Sequence, residues 1–294
     1  YWRLAIAGGQ PERPTFSLRR RILSAPTIVS FAIAVAFLVF LATRFSIDLG
    51  ATWETVRGSN PLLYALAFLV HYTTFPFRGA RWRMMLKNAG IADEAPLPSI
   101  VGASRLLLMG WFASSITWFR LGDAFRAFAY YEESGAPLAR TIGTVLGERV
   151  MDVILVFLLL LAGFLLIAAD PDLDPSGTFL GVGLGLVVLC LVLLLVMQLF
   201  WNRISHLLPG RIRSAYLTFH EGTMRSFRTL PLVLLVGLLG WLSEVGRLFF
   251  VVQATGLDVG IGLVLFVTVA NALLTAVPLT PGGLGIVETG LVGL

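Results

Sequence analysis

The sequence predicts an all-α, polytopic membrane helix bundle. Hydrophobic residues make up 57% of the 294-residue chain. Charged residues make up 13%, well below the share of about a quarter in a soluble domain. The apolar residues gather into long runs, residues 177–201 being the clearest. Lipid obliges such a run to bond its own backbone as a helix. The same composition narrows function. The net charge of +5 rests on arginine, Lys87 being the only lysine. In a membrane protein, clustered arginine marks the cytoplasmic side and attracts anionic lipid. No basic soluble domain is visible to take nucleic acid. Cys190 is the only cysteine, so no internal disulfide can form. His71, His206 and His220 have no metal-binding spacing, and neither a metal nor another cofactor is expected.

Residues 1–25 are polar and basic, with Arg3, Arg13, Arg19, Arg20 and Arg21 against Glu12. They read as a cytoplasmic N-terminal segment, with a disordered tail equally open for residues 5–16. Residues 26–294 read as one transmembrane domain. The chain starts at Tyr1 rather than Met and stops at Leu294 inside an apolar run, so it is expected to be truncated at both ends. Spans are expected at 26–43 and 61–77. The second ends in Arg78, Arg81, Arg83 and Lys87 around Trp82, which reads as a cytoplasmic interface. Residues 99–119 are apolar and lead into Arg120-Leu121-Gly122-Asp123-Ala124-Phe125-Arg126. A long helix over 136–169, an acidic turn over 170–175 and a span over 177–201 follow. Residues 202–229 carry Arg203, Arg211, Arg213, Arg225 and Arg228 between apolar residues, the pattern of an amphipathic helix on the cytoplasmic surface. The segment 231–253 is a further span, and 261–277 enters the membrane again.

Arginine density places 78–87 and 203–228 on the same side. The helix over 136–169 then runs outward and 177–201 inward. Residues 99–135 must therefore start and finish on the cytoplasmic side, as a re-entrant hairpin broken at Gly122. The alternative is one ordinary span, which puts the arginines of 203–228 outside. A second break follows 261–276, where Pro278, Pro281, Gly282, Gly283 and Gly285 interrupt what would otherwise be one helix. That hairpin enters from the opposite face. Two opposed broken-helix hairpins, each after a span, form the layout of an inverted repeat whose breaks meet at the midplane. The helix over 136–169 has no counterpart after 294, so at least one span is expected beyond it.

Ionisable residues inside spans are costly and are usually paired and functional. Arg120, Asp123 and Arg126 offer a pocket for an anionic head group, since guanidinium matches phosphate in a two-pronged way. An interfacial loop is the plain alternative. Glu148 and Asp152 share one helix face, with Arg149 between them. They call for a cation, and Arg120 or Arg126 are natural partners; a structural ion-pair cluster is the plain alternative. Glu244 and Arg247 lie three apart inside the span 231–253, as a structural pair or as a gating or substrate site. Glu288 follows the second break, either as a carboxylate favoured by the helix dipole or as a partner for Arg120, Arg126 or Arg247. Arg105 and Asn271 pose the same question. No nucleotide-binding loop or hydrolase motif is present.

Several of these motifs are similar to those of one family. Pro281-Gly282-Gly283-Leu284-Gly285-Ile286-Val287-Glu288 resembles the Pro-Gly-Gly-x-Gly-x-x-Glu signature of the lysylphosphatidylglycerol synthase transmembrane-region family, the flippase-like integral membrane proteins. Arg120-Leu121-Gly122-Asp123-x-x-Arg126, Glu148-Arg149-Val150-Met151-Asp152 and Arg81-Trp82-Arg83 resemble three further motifs of that family, in the same order. Trp118 stands where the family usually has a proline near the first tip, and Asp123 replaces the commoner glutamate. The resemblance implies translocation of an aminoacylated or glycosylated lipid between leaflets of the cell membrane, without naming the lipid. It also implies a glycosyltransferase or lipid synthase as a working partner. The arginines would hold the lipid phosphate, and the carboxylates would hold the arginines. The chain is thus expected to be a transporter rather than an enzyme. Two other classes remain open: a membrane-embedded glycosyl- or acyl-transferase acting on polyprenyl or phospholipid carriers, and a scaffold for such an enzyme.

Overall fold

A computed structural model of the protein describes residues 49–116, 121–169 and 177–276. All regular structure among them is helical. The second break (Pro278, Pro281, Gly282, Gly283, Gly285), Glu288 and Arg120 lie outside the described residues, as do the N-terminal segment and the first span. The chain divides into two compact units, residues 1–58 and 59–294. In the first, α1 (Leu49–Gly58) ends on Arg57, a cation that suits the carbonyl end of a helix.

In the second unit, α2 (Pro61–Asn88) opens on an Asn60 cap. The Asn60 side chain accepts from the backbone N–H groups of Leu62 and Leu63 at 3.0 and 3.4 Å, and Pro61 takes the position that has no use for an N–H. The sequence places the end of this span at Phe77, with Arg78 and Arg81 at the interface. In the structure the helix itself does not stop there. The helix continues through the arginines to Asn88, and Arg78 and Arg81 are buried. It can do so because carboxylates on another helix neutralise them, as described below.

α3 (Ile100–Ile116) and α4 (Gly122–Ser134) form an antiparallel helical hairpin. Arg105 pairs with Glu133 near the open end, and Ser114 accepts from the Gly122 N–H at 3.1 Å near the tip. The arms touch backbone to backbone at two glycines. A Cβ on Gly122 would sit 1.8 Å from the carbonyl oxygen of Gly110, so only glycine fits. The hairpin lies along α2. The α3 arm runs from Ser104, bonded to the Phe75 carbonyl, to Trp111, beside Phe75 and His71. The α4 arm returns to bring Tyr130 against Trp82. The left-handed Gly135 ends α4.

α5 (Leu138–Ala168) and α6 (Thr178–Leu207) are long and apolar enough to cross a membrane, as is the stretch Ile212–Ala254. The expected amphipathic segment at 202–229 is shorter than anticipated. Residues up to Leu207 belong to α6, and α7 (Gly210–Ser226) begins after Pro209. α7 packs tightly on the start of α5, where a Cβ on Gly143 would meet the Phe219 carbonyl and one on Gly222 the Arg140 carbonyl, each at 2.3 Å. α8 (Leu230–Ala254) runs antiparallel to α2, pairing Ser243 with Thr73 and Gly240 with Thr74. α9 (Ile261–Ala276) runs antiparallel to α5, with Gly262 at Leu166 and Gly163 at Phe266. Small residues at these crossings are the usual device of helices in lipid, where apolar burial gives little drive to associate.

Two apolar clusters flank the polar centre. One joins α5, α8 and α9 through Leu160, Val245, Phe266 and Val269. The other joins the end of α2 to the hairpin through Trp82, Leu86, Leu106 and Tyr130. The end of α2, the open end of the hairpin and the start of α5 meet at one end of the unit, where Arg140 bridges Glu94 and Glu221.

Candidate functional site

The polar centre begins with two arginines that sequence reasoning assigned elsewhere. Arg78 and Arg81 lie three apart on α2, which puts them on one face. Glu148 and Asp152 lie four apart on α5. Where α2 crosses α5, the two pairs meet. Arg81 Nη1 donates to Asp152 Oδ1 at 2.7 Å and Nη2 to Glu148 Oε1 at 2.9 Å. Arg81 and Glu148 are fully buried, and Asp152 is 5% exposed. Gly237 on α8 makes room: a Cβ there would lie 2.8 Å from Arg81 Nη1.

The hairpin adds a third arginine and a third carboxylate. Arg126 Nη2 lies 3.0 Å from Glu148 Oε2 and 3.2 Å from Asp123 Oδ1. Its guanidinium rests on the face of Trp82, 4.8 Å from the ring centre, while the Trp82 indole N–H donates to Thr144. Gly110 and Gly122 let α4 approach closely enough for this. Arg149 then ties the edge together. It donates to Asp123 Oδ1 at 3.0 Å and to Asp152 Oδ2 at 3.3 Å. Trp241 of α8 donates its indole N–H to Asp152 Oδ1 at 3.3 Å. Arg78 Nη1 lies 3.9 Å from Asp152 Oδ2.

Among the described residues, four arginines (78, 81, 126, 149) thus face three carboxylates (123, 148, 152), an excess of one positive charge. The network grades outward, from fully buried Arg81 and Glu148 to Asp123 and Arg149, whose side chains are 38% and 43% exposed. Chemically it is a preformed polyarginine cradle held rigid by its own carboxylates. Among the described residues, no His/Cys/Asp/Glu group suits a metal ion.

The structure therefore brings Asp123, Arg126, Glu148, Arg149 and Asp152 together. Gly122 sits at the hairpin contact. Glu244 and Arg247 form a separate group: Arg247 Nε donates to Glu244 Oε2 at 3.1 Å, and His71 Nδ1 lies 3.4 Å from that oxygen. Reasoning from sequence did not count Arg78, Arg81, Trp82 or Trp241 among the site residues, although it singled out Arg81 and Trp82 as part of a family-like motif. Spacing held a signal, because arginines three apart match carboxylates four apart on a crossing helix. Local density of positive charge pointed instead to an interface.

Arg105 belongs to neither group. It forms a close pair with Glu133, both side chains about half exposed. Exposed pairs contribute at most about 1 kcal/mol. Arg105→Gln is expected to leave thermal stability within ~1 kcal/mol of wild type, as checked by unfolding of the purified protein in detergent.

The profile of a family described as "Lysylphosphatidylglycerol synthase TM region" matches residues 27–294. A UPF0104 membrane protein from Methanocaldococcus jannaschii is 28% identical over 184 residues, covering 62% of this chain and 77% of its own length. A UPF0104 membrane protein from Methanothermobacter thermautotrophicus is 24% identical over 294 residues, covering 87% of this chain and 81% of its own length. A protein from Haloferax volcanii named glycosyltransferase AglD is 24% identical over 313 residues, covering 92% of this chain but 49% of its own length. No solved structure matches.

Proposed function

Taking as premise that the chain belongs to the lysylphosphatidylglycerol synthase TM region family of multi-pass membrane proteins, we propose that it moves a lipid with an anionic head group between the leaflets of the cell membrane. One observation carries this reading: a buried arginine cradle with, among the described residues, one more positive than negative charge, set where a helical hairpin closed by a glycine contact meets α2, α5 and α8. A buried charge excess in a membrane protein is costly unless a ligand of opposite sign balances it. A lipid phosphate is the anion that a membrane offers. Arg126 and Arg149 reach toward it, while Glu148 and Asp152 keep the guanidinium groups aimed. Chain geometry supports a hairpin that enters and leaves the membrane on one side, since both its ends lie beside the end of α2. The arginines at that end support its being cytoplasmic.

In this reading the protein is a transporter, without bond-making chemistry of its own, and it works beside a lipid-modifying enzyme. The second reading, a membrane-embedded transferase, draws on the resemblance to the Haloferax volcanii protein named a glycosyltransferase. The test is reconstitution in liposomes with a head-group-labelled phospholipid and a membrane-impermeant quencher. Wild type is expected to expose inner-leaflet label faster than protein-free liposomes. Arg126→Gln and Arg120→Ala are expected to slow that exposure by about tenfold or more, the loss of one charge-assisted contact. Exposure unchanged in both variants overturns the proposal. A covalently altered lipid formed from an added nucleotide sugar favours the transferase.

A further inference from the structure

Two buried polar atoms stand without hydrogen bonds where α2 crosses α8, outside the arginine cradle. His71 Nδ1 lies 3.4 Å from Glu244 Oε2 but makes no hydrogen bond among the described residues. Glu244 Oε1 is likewise buried and unbonded among them. The other carboxylate oxygen, Oε2, accepts from Arg247 Nε at 3.1 Å. The crossing is tight: the Thr73 hydroxyl donates to Ser243 Oγ at 3.0 Å, and a Cβ on Gly246 would lie 3.1 Å from Val70. Glu244 and Arg247 balance one another's charge, so His71 is the member whose charge is open. A neutral imidazole with its proton on Nε2 points a lone pair at a carboxylate oxygen. A proton added at Nδ1 turns that contact into a charge-assisted hydrogen bond. A hard metal cation fits less well, because it takes about six oxygen ligands and the Arg247 guanidinium repels it.

The pair also reaches the hairpin. The His71 ring lies 6.4 Å from the Trp111 ring of α3, and the Arg78 guanidinium lies 5.5 Å from the same ring. Trp111 thus stands between a permanent cation and one that comes and goes with a proton. Indole faces attract cations, so charging His71 changes the force on the α3 arm. Few other charged or titratable groups face the pair among the described residues. α2 adds Tyr72, its ring 5.4 Å from that of His71, and Arg78 two turns along. α3 has Arg105 alone, paired with Glu133 at the open end of the hairpin. α5 offers Asp152, which accepts from Trp241 of α8. α9 has no ionisable residue. The His71 side chain is 29% exposed, which leaves the proton a way in.

We infer that His71 and Glu244 form the site of a coupling proton, and that this proton crosses the membrane with the lipid. It comes from the water on one side, adds to Nδ1 of His71 opposite Glu244, and leaves to the water on the other; no bond of the lipid changes. Positive charge on His71 strengthens the pull on an anionic head group, and the head group in turn holds the proton, since coupling between two ligands is reciprocal. The assignment rests on the translocation reading and adds its driving force.

The full chain in liposomes tests it. The probe is the head-group-labelled phospholipid, under a pH step of one unit with the membrane potential clamped by potassium and valinomycin. One proton per lipid concentrates the label about tenfold in the leaflet away from the acidic side at steady state. Wild type is expected to approach that asymmetry, with sodium or with choline as the other cation. Asymmetry that requires sodium overturns the proton as the ligand. His71→Gln and Glu244→Gln are expected to leave the label evenly spread; asymmetry retained in both overturns the site. If His71→Gln does not fold, Glu244→Gln, equal in shape, decides. A second readout needs no transport. In weakly buffered detergent with a pH dye, adding a short-chain form of the phospholipid should make wild type take up protons and His71→Gln take up none. That reading decides where a variant moves no lipid: no uptake by wild type, or equal uptake by the variant, overturns the site. A wild type that moves lipid but spreads the label evenly under the pH step overturns the proton and leaves translocation standing. A wild type that moves no lipid overturns translocation, and the dye reading then keeps or removes the proton site on its own.

Discussion

Replacing Arg81 with alanine is expected to be the most damaging single change in this protein. Arg81 is the shared partner of Glu148 and Asp152, at 2.9 and 2.7 Å, in a place without exposure to solvent. Its loss leaves two carboxylates buried four residues apart on α5; among the described residues Glu148 then keeps Arg126, and Asp152 keeps Arg149, Trp241 and a distant Arg78. Breaking one side of a buried ion pair costs about 3–5 kcal/mol, a large fraction of the stability of most proteins. The expected outcome is a sharp fall in monodisperse protein recovered in detergent and a lower unfolding temperature. The double variant Arg81→Met with Glu148→Gln removes one charge of each sign and should recover part of the loss, because the uncompensated carboxylate is the main penalty. A single variant as stable as wild type would show that the network contributes nothing to the fold.

The second large effect is expected at Gly122. A Cβ there would sit 1.8 Å from the Gly110 carbonyl oxygen and 2.2 Å from Ser114 Oγ. The serine can rotate away, but the carbonyl cannot move without shifting the whole α3 arm. Overpacking of this kind costs about 1–3 kcal/mol and sometimes more. The functional cost should exceed the cost in stability. Splaying the arms carries Asp123 and Arg126 away from Arg149 and Glu148, and a displacement of an ångström is enough to spoil a positioned site. Gly122→Ala is therefore expected to lose most lipid exposure in the liposome assay while still yielding folded protein. Gly110→Ala, whose Cβ would lie 2.8 Å from the Gly122 carbonyl, should lose less. Equal and full activity in both would show that the close contact is dispensable.

Much of this architecture was legible beforehand because lipid restricts the choices. Long apolar runs must be helices, so α5, α6 and α8 could be placed within a few residues. The antiparallel fold-back of α3 and α4 followed from counting crossings against arginine clusters. Boundaries failed where charge and helix coexist. The end of α2 was set at Phe77 because Arg78 and Arg81 looked like surface residues. The amphipathic segment was begun at Asn202 because Arg203 interrupts the apolar run, although α6 continues to Leu207. A charged side chain ends a span only when nothing in the bundle neutralises it, and that depends on another helix.

From its sequence alone the protein was committed to a membrane, to helices, and to the chemistry of guanidinium and carboxylate in a place where neither is cheap. These follow from composition and from short-range spacing, which every residue carries with it. Only the tertiary structure decided which arginine faces which carboxylate. Arg81 takes Glu148 and Asp152 because α2 and α5 cross there and Gly237 leaves room, a coincidence of residues 67 and 71 positions apart. It also decided that Arg78, 3.9 Å from its nearest carboxylate oxygen among the described residues, is the most loosely paired of the four arginines. Charge balance is a sum over neighbours in space, and the neighbours of Arg78 come from α3, α5 and α8 as well as its own helix.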